Sequence, residues 1–192
     1  MPDQPQEIAK ESPRSGIINS VIEFVVIIAV AALLAFGVTN FVVKPYQIPS
    51  GSMLETIQLN DHVLSEKISY YTGTPQVGDV VTFVDPEDSS RVLIKRVIAT
   101  EGQTVDLIDG VVYVDGEALD EDEYTLGKPS YPLDSIANVT YPYTVPEGCI
   151  WCMGDNRTNS SDSRYFGAVP ISNVTGHAFF TYWPLNRIGF LK

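Results

Sequence analysis

RVLIKRVIATEGQTVDLIDGVVYVDGE, residues 91–117, decides the fold class. Short runs rich in Val, Ile and Tyr are separated here by turn residues, and no stretch keeps a helical period. Asp109-Gly110 sits between two alternating runs, a strong hairpin signal, because both central positions of a type I′ turn need positive φ. Asp115-Gly116 closes the second run. The same texture recurs outward in VGDVVTFVD (77–85), GCIWCMGDN (148–156) and GHAFFTYWP (176–184), so residues 44–192 read as a mainly β domain. Glu117 to Tyr143 is acidic, then rich in Pro and Tyr, and reads as an irregular excursion between strands. Its acidic cluster, Asp120 to Glu123, lacks the spaced ligand pattern of a calcium loop and reads as a solvated face.

Ahead of this domain the character changes twice. Residues 1–16 are polar and aperiodic, the composition of a disordered lead. Residues 17–43 are mostly apolar, without interruption from Phe24 to Val38. As a helix this segment is roughly 40 Å long, enough to cross a hydrocarbon core of about 30 Å with tilt. Its apolar residues surround the axis, unlike a helix with one face on a soluble core. The acidic residues Asp3, Glu7 and Glu11 beside Lys10 and Arg14 are unlike the positive front end of a cleaved signal. Lys10 and Arg14 before the helix, against Lys44 after it, tilt the positive-inside balance toward a cytoplasmic N-terminus.

The 192 residues carry a formal net charge of -12, and 19% are charged. A wholly disordered chain is excluded by the 44% hydrophobic content, and general nucleic-acid binding by the excess of acid. Cys149 and Cys152 form a CxxC. If they lie in one strand they point to opposite faces with Cα atoms about 10 Å apart, beyond disulfide reach, which predicts two free, core-facing or half-buried thiols without a metal.

Three segments carry candidate chemistry. Ile48-Pro49-Ser50-Gly51-Ser52-Met53 could present a hydroxyl and backbone N–H groups to a carbonyl, although alone it reads more readily as a plain turn. A nucleophilic serine needs a base, and neither His62, in a probable turn after Asn60-Asp61, nor His177, opening an aromatic strand, has a suggestive setting. Lys95 shares a strand face with Leu93 and Val97, while Arg96 points with Ile94 and Ile98. An ammonium between apolar neighbours is desolvated, which favours the neutral amine; the competing reading is a lysine snorkelling to water at a sheet edge. Gly154 to Arg164, a polar run after an apolar strand, reads as an internally hydrogen-bonded loop that buttresses something and favours the chemical reading.

Taken together, IPSGSM (48–53), GDVVTF (78–83), IKRVIA (94–99) and MGDNRTNSSDSRYFG (153–167) resemble, in order and spacing, the successive boxes of bacterial type I signal peptidases, which also follow a membrane helix. The resemblance implies an antiparallel β-sheet catalytic domain with a small inserted β region, here about residues 100–148. It implies that Ser52 is the nucleophile and Lys95 the general base, that Ser50 and the Ser52 N–H form the oxyanion hole, that Ser160 orients the lysine, and that Asp162 and Arg164 pair as structural support. The implied substrates are exported preproteins, cut after small residues at the first and third positions before the scissile bond. The implied surroundings are a cell membrane spanned once, with the catalytic domain extracytoplasmic. No metal or organic cofactor and no nucleic acid is implied.

The family continues its serine box with proline where this chain has Glu55, and its lysine box with Gly-x-Pro-Gly where this chain has Ala99-Thr100-Glu101-Gly102. A carboxylate at 55 is expected to loosen the loop and, if close, to hold Lys95 protonated. Two other classes fit parts of the pattern. Non-catalytic peptidase-like accessory modules would lack one or both of Ser52 and Lys95, and self-cleaving repressors would carry a DNA-reading helix pair and no membrane span.

Overall fold

The protein is described here by a computed structural model covering residues 13–191, so most of the expected disordered lead, residues 1–12, lies outside the described residues. The chain divides near residue 40 into two compact units.

The first unit is a single helix, α1 (Pro13–Phe41). It begins four residues before the expected start at 17 because proline, with φ preset and no N–H to satisfy, suits the first helical position. Asn19–Gly37 is long and apolar enough to cross a membrane by length and composition. Among the described residues, Phe24, Leu33, Leu34 and Phe36 are all more than 60% exposed, unlike the apolar side chains of a helix packed in a soluble core. It stops before the expected Val43 because Val43–Gln47 is extended and pairs with a strand of the second unit.

The second unit is built from strands β1 (Val43–Gln47), β2 (His62–Glu66), β3 (Val80–Val84), β4 (Val92–Thr100), β5 (Thr104–Ile108), β6 (Val111–Val114), β7 (Glu117–Ala118), β8 (Tyr143–Thr144), β9 (Cys149–Met153), β10 (Val169–Pro170), β11 (Val174–Trp183) and β12 (Gly189–Phe190). Every pairing is antiparallel. An eight-stranded sheet runs β1-β2-β11-β3-β4-β9-β10 with β12 against β11, and a four-stranded sheet runs β7-β6-β5-β8. The chain leaves the larger sheet after β4 and re-enters it at β9. The expected mainly antiparallel β fold is what the chain adopts.

Both Asp-Gly pairs turn as their chemistry requires: Asp109 and Gly110 have φ 53 and 85, and Asp115 and Gly116 have φ 53 and 84. They close the β5–β6 and β6–β7 hairpins. β4 is apolar almost throughout because it is covered on both faces. Val97 joins Val81, Phe83, Ile150 and Cys152, while Ile98 and Ala99 join Val105, Val112, Trp151 and Met153. Trp151 is fully buried in that second cluster, and truncating such a side chain costs about 3–5 kcal/mol. The strand that carries Lys95 is therefore buried between two apolar clusters.

Candidate active site

The serine loop leaves β1 at Ile48 and returns to β2 at Asp61. Its foot is closed by the Ile48 N–H on Asp61 O (2.9 Å) and the Asn60 N–H on Ile48 O (2.8 Å). Met53 and Ile57, both fully buried, anchor its inner side in the core, which holds Ser52 toward β4. Lys95 Nζ donates to Ser52 Oγ at 2.8 Å and to Ile94 O at 2.9 Å. Ser52 is 9% exposed and Lys95 3%. Burial pushes the lysine amine down from 10.5 to about 8, against the opposing pull of Asp162, Cys152, Asp85 and Asp155.

The polar run after β9 is folded by its own hydrogen bonds. Asn156 clamps the serine loop, its N–H on Ser52 O (3.0 Å) and its Nδ2 on Gly51 O (2.8 Å). Asp155 is held by both arms of Arg96 (2.9 and 2.8 Å) and accepts from Thr56 Oγ1 (2.5 Å), which ties β4, this loop and the serine loop to one carboxylate. Asp162 accepts from the Gly154 N–H (3.0 Å) and from Arg164 Nε and Nη2 (both 2.9 Å). Gly154 is packed against the Ser52 segment so closely that a Cβ there would lie 2.5 Å from Ser52 O and 2.3 Å from Ser160 Oγ.

Residues 21–183 match the family described as signal peptidase, peptidase S26. The chain belongs to this family, as a type I signal peptidase. It is 43% identical over 176 residues to a probable signal peptidase I-1 of Synechocystis sp., covering 88% of this chain and 86% of that one. It is 35% identical over 194 residues to a signal peptidase I of Leptolyngbya laminosa, covering 97% and 91%. A crystal structure of a signal peptidase I from Enterococcus faecalis aligns with a TM-score of 0.42 at 32% identity, over 54% of this chain and 95% of that one.

Not every residue singled out in the peptidase sequence meets its expected partner. Ser52 and Lys95 come together, and Asp162 pairs with Arg164. Ser50 is exposed and lines a cleft of about 330 Å³ with Tyr46, Ile48, Leu93, Ile94 and Lys95. Ser160 Oγ does not hydrogen-bond the lysine: it is buried beside Gly154 without a partner. His62 bonds Tyr182 and His177 faces Glu66 instead of the serine. Cys149 is half-buried, Cys152 is fully buried, and both thiols are free on β9, with burial pushing both up. Such thiols are poor redox groups.

The two departures beside the boxes have other work. Glu101 caps the Gly148 N–H at 2.7 Å, fastening the β4–β5 turn to the start of β9. Glu55 is half-exposed and faces Lys128 Nζ (4.0 Å) and Gln58, while the carboxylates acting on Lys95 are those of Asp162, Asp85 and Asp155. Glu55→Gln is therefore expected to leave the pH midpoint of cleavage unmoved. A midpoint displaced toward acid in the rate profile would show that this carboxylate does reach the amine.

The acidic cluster is not simply a solvated face. Glu121 reaches inward to the buried Arg157. Sequence reading missed this pair, as it missed Arg96 as the cation that holds Asp155, and Asp155 and Asn156 as partners of the serine loop. The last two lay inside a run already marked as a buttress, and Arg96 sits beside Lys95; Glu121 carried no local signal at all.

Proposed function

We propose that the chain is a membrane-anchored serine endopeptidase that removes signal peptides from exported preproteins with a Ser52-Lys95 dyad. The observation that carries the reading is a buried amine, depressed toward neutrality, 2.8 Å from a buried hydroxyl on a clamped loop. Neutral Lys95 accepts the Ser52 proton as Oγ attacks the scissile carbonyl. The tetrahedral oxyanion is met by the Ser52 N–H and the Ser50 hydroxyl. On collapse the lysine ammonium protonates the departing amine, leaving an acyl-Ser52 ester. Lys95 then deprotonates a water that hydrolyses the ester, and the proton returns to Oγ. Ser160, whose buried hydroxyl has no other partner, rotates onto the amine and steadies it during these transfers. Asp162 and Arg164 keep the loop that carries it in place.

The substrate lies extended in the cleft. Among the described residues β1 pairs with β2 alone and β4 meets β9 from Arg96 onward, so the unpaired edges of β1 and of Val92–Lys95 border the cleft, which Tyr46–Ser50 and Val92–Lys95 line. A peptide between them gains main-chain hydrogen bonds on both sides while its alternate side chains enter the apolar wall. The wall of Ile48, Leu93 and Ile94 admits small residues at the first and third positions before the cut. Helix α1 anchors the enzyme, its N-terminus cytoplasmic and its β domain extracytoplasmic.

The test is to incubate the detergent-solubilised protein with a preprotein and sequence the new N-terminus. Cleavage is expected after a small residue, and replacing that residue with phenylalanine is expected to slow it roughly a hundredfold. Equal rates for both substrates would overturn the specificity.

A further inference from the structure

The turn at Glu121–Tyr124 belongs by sequence to the excursion between β7 and β8, far from every box. Yet it ends inside the support of the serine. Thr125 holds it in shape by bonding Glu121 O through both its N–H (3.0 Å) and its Oγ1 (2.9 Å). Glu121 then meets the Arg157 guanidinium with both carboxylate oxygens, one of them at 2.6 Å from Nη1. Tyr124 donates its hydroxyl to Glu121 Oε1 at 3.1 Å and places its ring 4.2 Å from the Arg96 guanidinium and 5.8 Å from that of Arg157.

Arg157 is the link to the chemistry. Its side chain is fully buried, Nη1 also donates to Ser130 Oγ (2.7 Å), and Nε donates to Gly154 O (2.9 Å). Gly154 is the residue packed against Ser52 O, and Asn156, one position before Arg157, bonds that same oxygen. A buried guanidinium with its carboxylate in place is a rigid strut; without it, the charge must find water or move, and Gly154 moves with it.

We infer that Glu121 and Tyr124 are positioning residues for the peptidase reaction, setting the alignment of Ser52 on Lys95 through Arg157 and Gly154. The inference rests on the dyad reading given above. It makes the excursion a working part of the site, in which a change in the acidic turn is felt at the serine.

The experiment compares Glu121→Gln, Tyr124→Phe, Arg157→Gln, the Glu121→Gln/Arg157→Gln double variant and Ser52→Ala in the full chain, with the exposed Glu117→Gln as control. The readouts are kcat and KM on one preprotein, the rate of Ser52 acylation by a small fluorophosphonate, and the folded fraction by circular dichroism at the assay temperature. Glu121→Gln is expected to lower kcat about tenfold with KM nearly unchanged, and to slow acylation alike. Tyr124→Phe loses about two- to threefold in kcat, and the double variant is no worse than Arg157→Gln alone. A parental kcat in Glu121→Gln, a loss that merely follows the unfolded fraction, or additive losses in the double variant would overturn the inference. Should Glu121→Gln fail to fold, an unchanged kcat in Tyr124→Phe overturns it instead. Cleavage surviving in Ser52→Ala would be a separate result, removing the dyad reading itself.

Discussion

Lys95→Arg is expected to lose cleavage by roughly ten-thousandfold or more, the scale seen when a base is taken from a serine peptidase. Arginine keeps length and charge but stays protonated at any working pH, so it cannot accept the Ser52 proton. In the parent enzyme the amine is lowered to about 8, so activity should rise with pH through that value as the neutral form becomes populated. Stability is linked to the same group. The folded state holds this proton less tightly than the unfolded chain, so its contribution to stability is poorest below pH 8 and improves between about 8 and 10.5. The full penalty at neutral pH is about 3 kcal/mol. Lys95→Met should thus be inactive yet melt at a higher temperature than the parent at pH 7. A pH–rate profile, a Lys95→Arg assay and a thermal melt of Lys95→Met check the three statements. An active Lys95→Arg enzyme would falsify the dyad.

Gly154→Ala is expected to cost roughly a hundredfold or more in kcat/KM, because displacing a nucleophile by about an ångström has effects of that size. The reason is space alone: Gly154 is not among the residues with positive φ, but the added methyl would stand 2.5 Å from the Ser52 carbonyl oxygen, a backbone atom that cannot rotate away. The Ser160 hydroxyl, 2.3 Å from the same position, can turn aside, whereas the Ser160 Cβ, at 2.7 Å, is a second fixed obstacle beside that carbonyl. Removing both with Ser160→Gly leaves the carbonyl in place and should still fail to restore Gly154→Ala. Near-parental activity in Gly154→Ala would mean that the serine loop yields without consequence.

What the sequence revealed of this molecule followed the range of each signal. The Asp-Gly turns, the alternating runs around them and the apolar helix are local features, and a residue's own chemistry is enough to read them. Ser52, Lys95 and the polar run from Gly154 to Arg164 were legible as segments, because a serine, a lysine among aliphatic residues and a loop dense in hydrogen-bonding groups each stand out. Their contacts were less so. Arg96 with Asp155 and Asn156 with Gly51 join residues far apart in the chain, and only the sheet order makes them neighbours. Glu121 was read as solvated because an acidic run usually is; it is instead neutralised by a cation that arrives from another part of the chain. Ser160 is a different case, since a residue type can be placed by spacing while the partner its hydroxyl takes depends on a rotamer set by everything around it.

If substrate pairs with the strand edges of the cleft as proposed, the cleft measures posture before identity. A polypeptide offers the main-chain groups such a slot requires only while it has not committed them to a structure of its own. On that proposal folding is a form of immunity: a mature domain, once formed, is expected to be hidden from the enzyme whatever small residues it contains, with no further signal needed to end the reaction. Vulnerability is confined to the interval in which the junction hangs straight, so order of events, more than composition, decides which bond is cut.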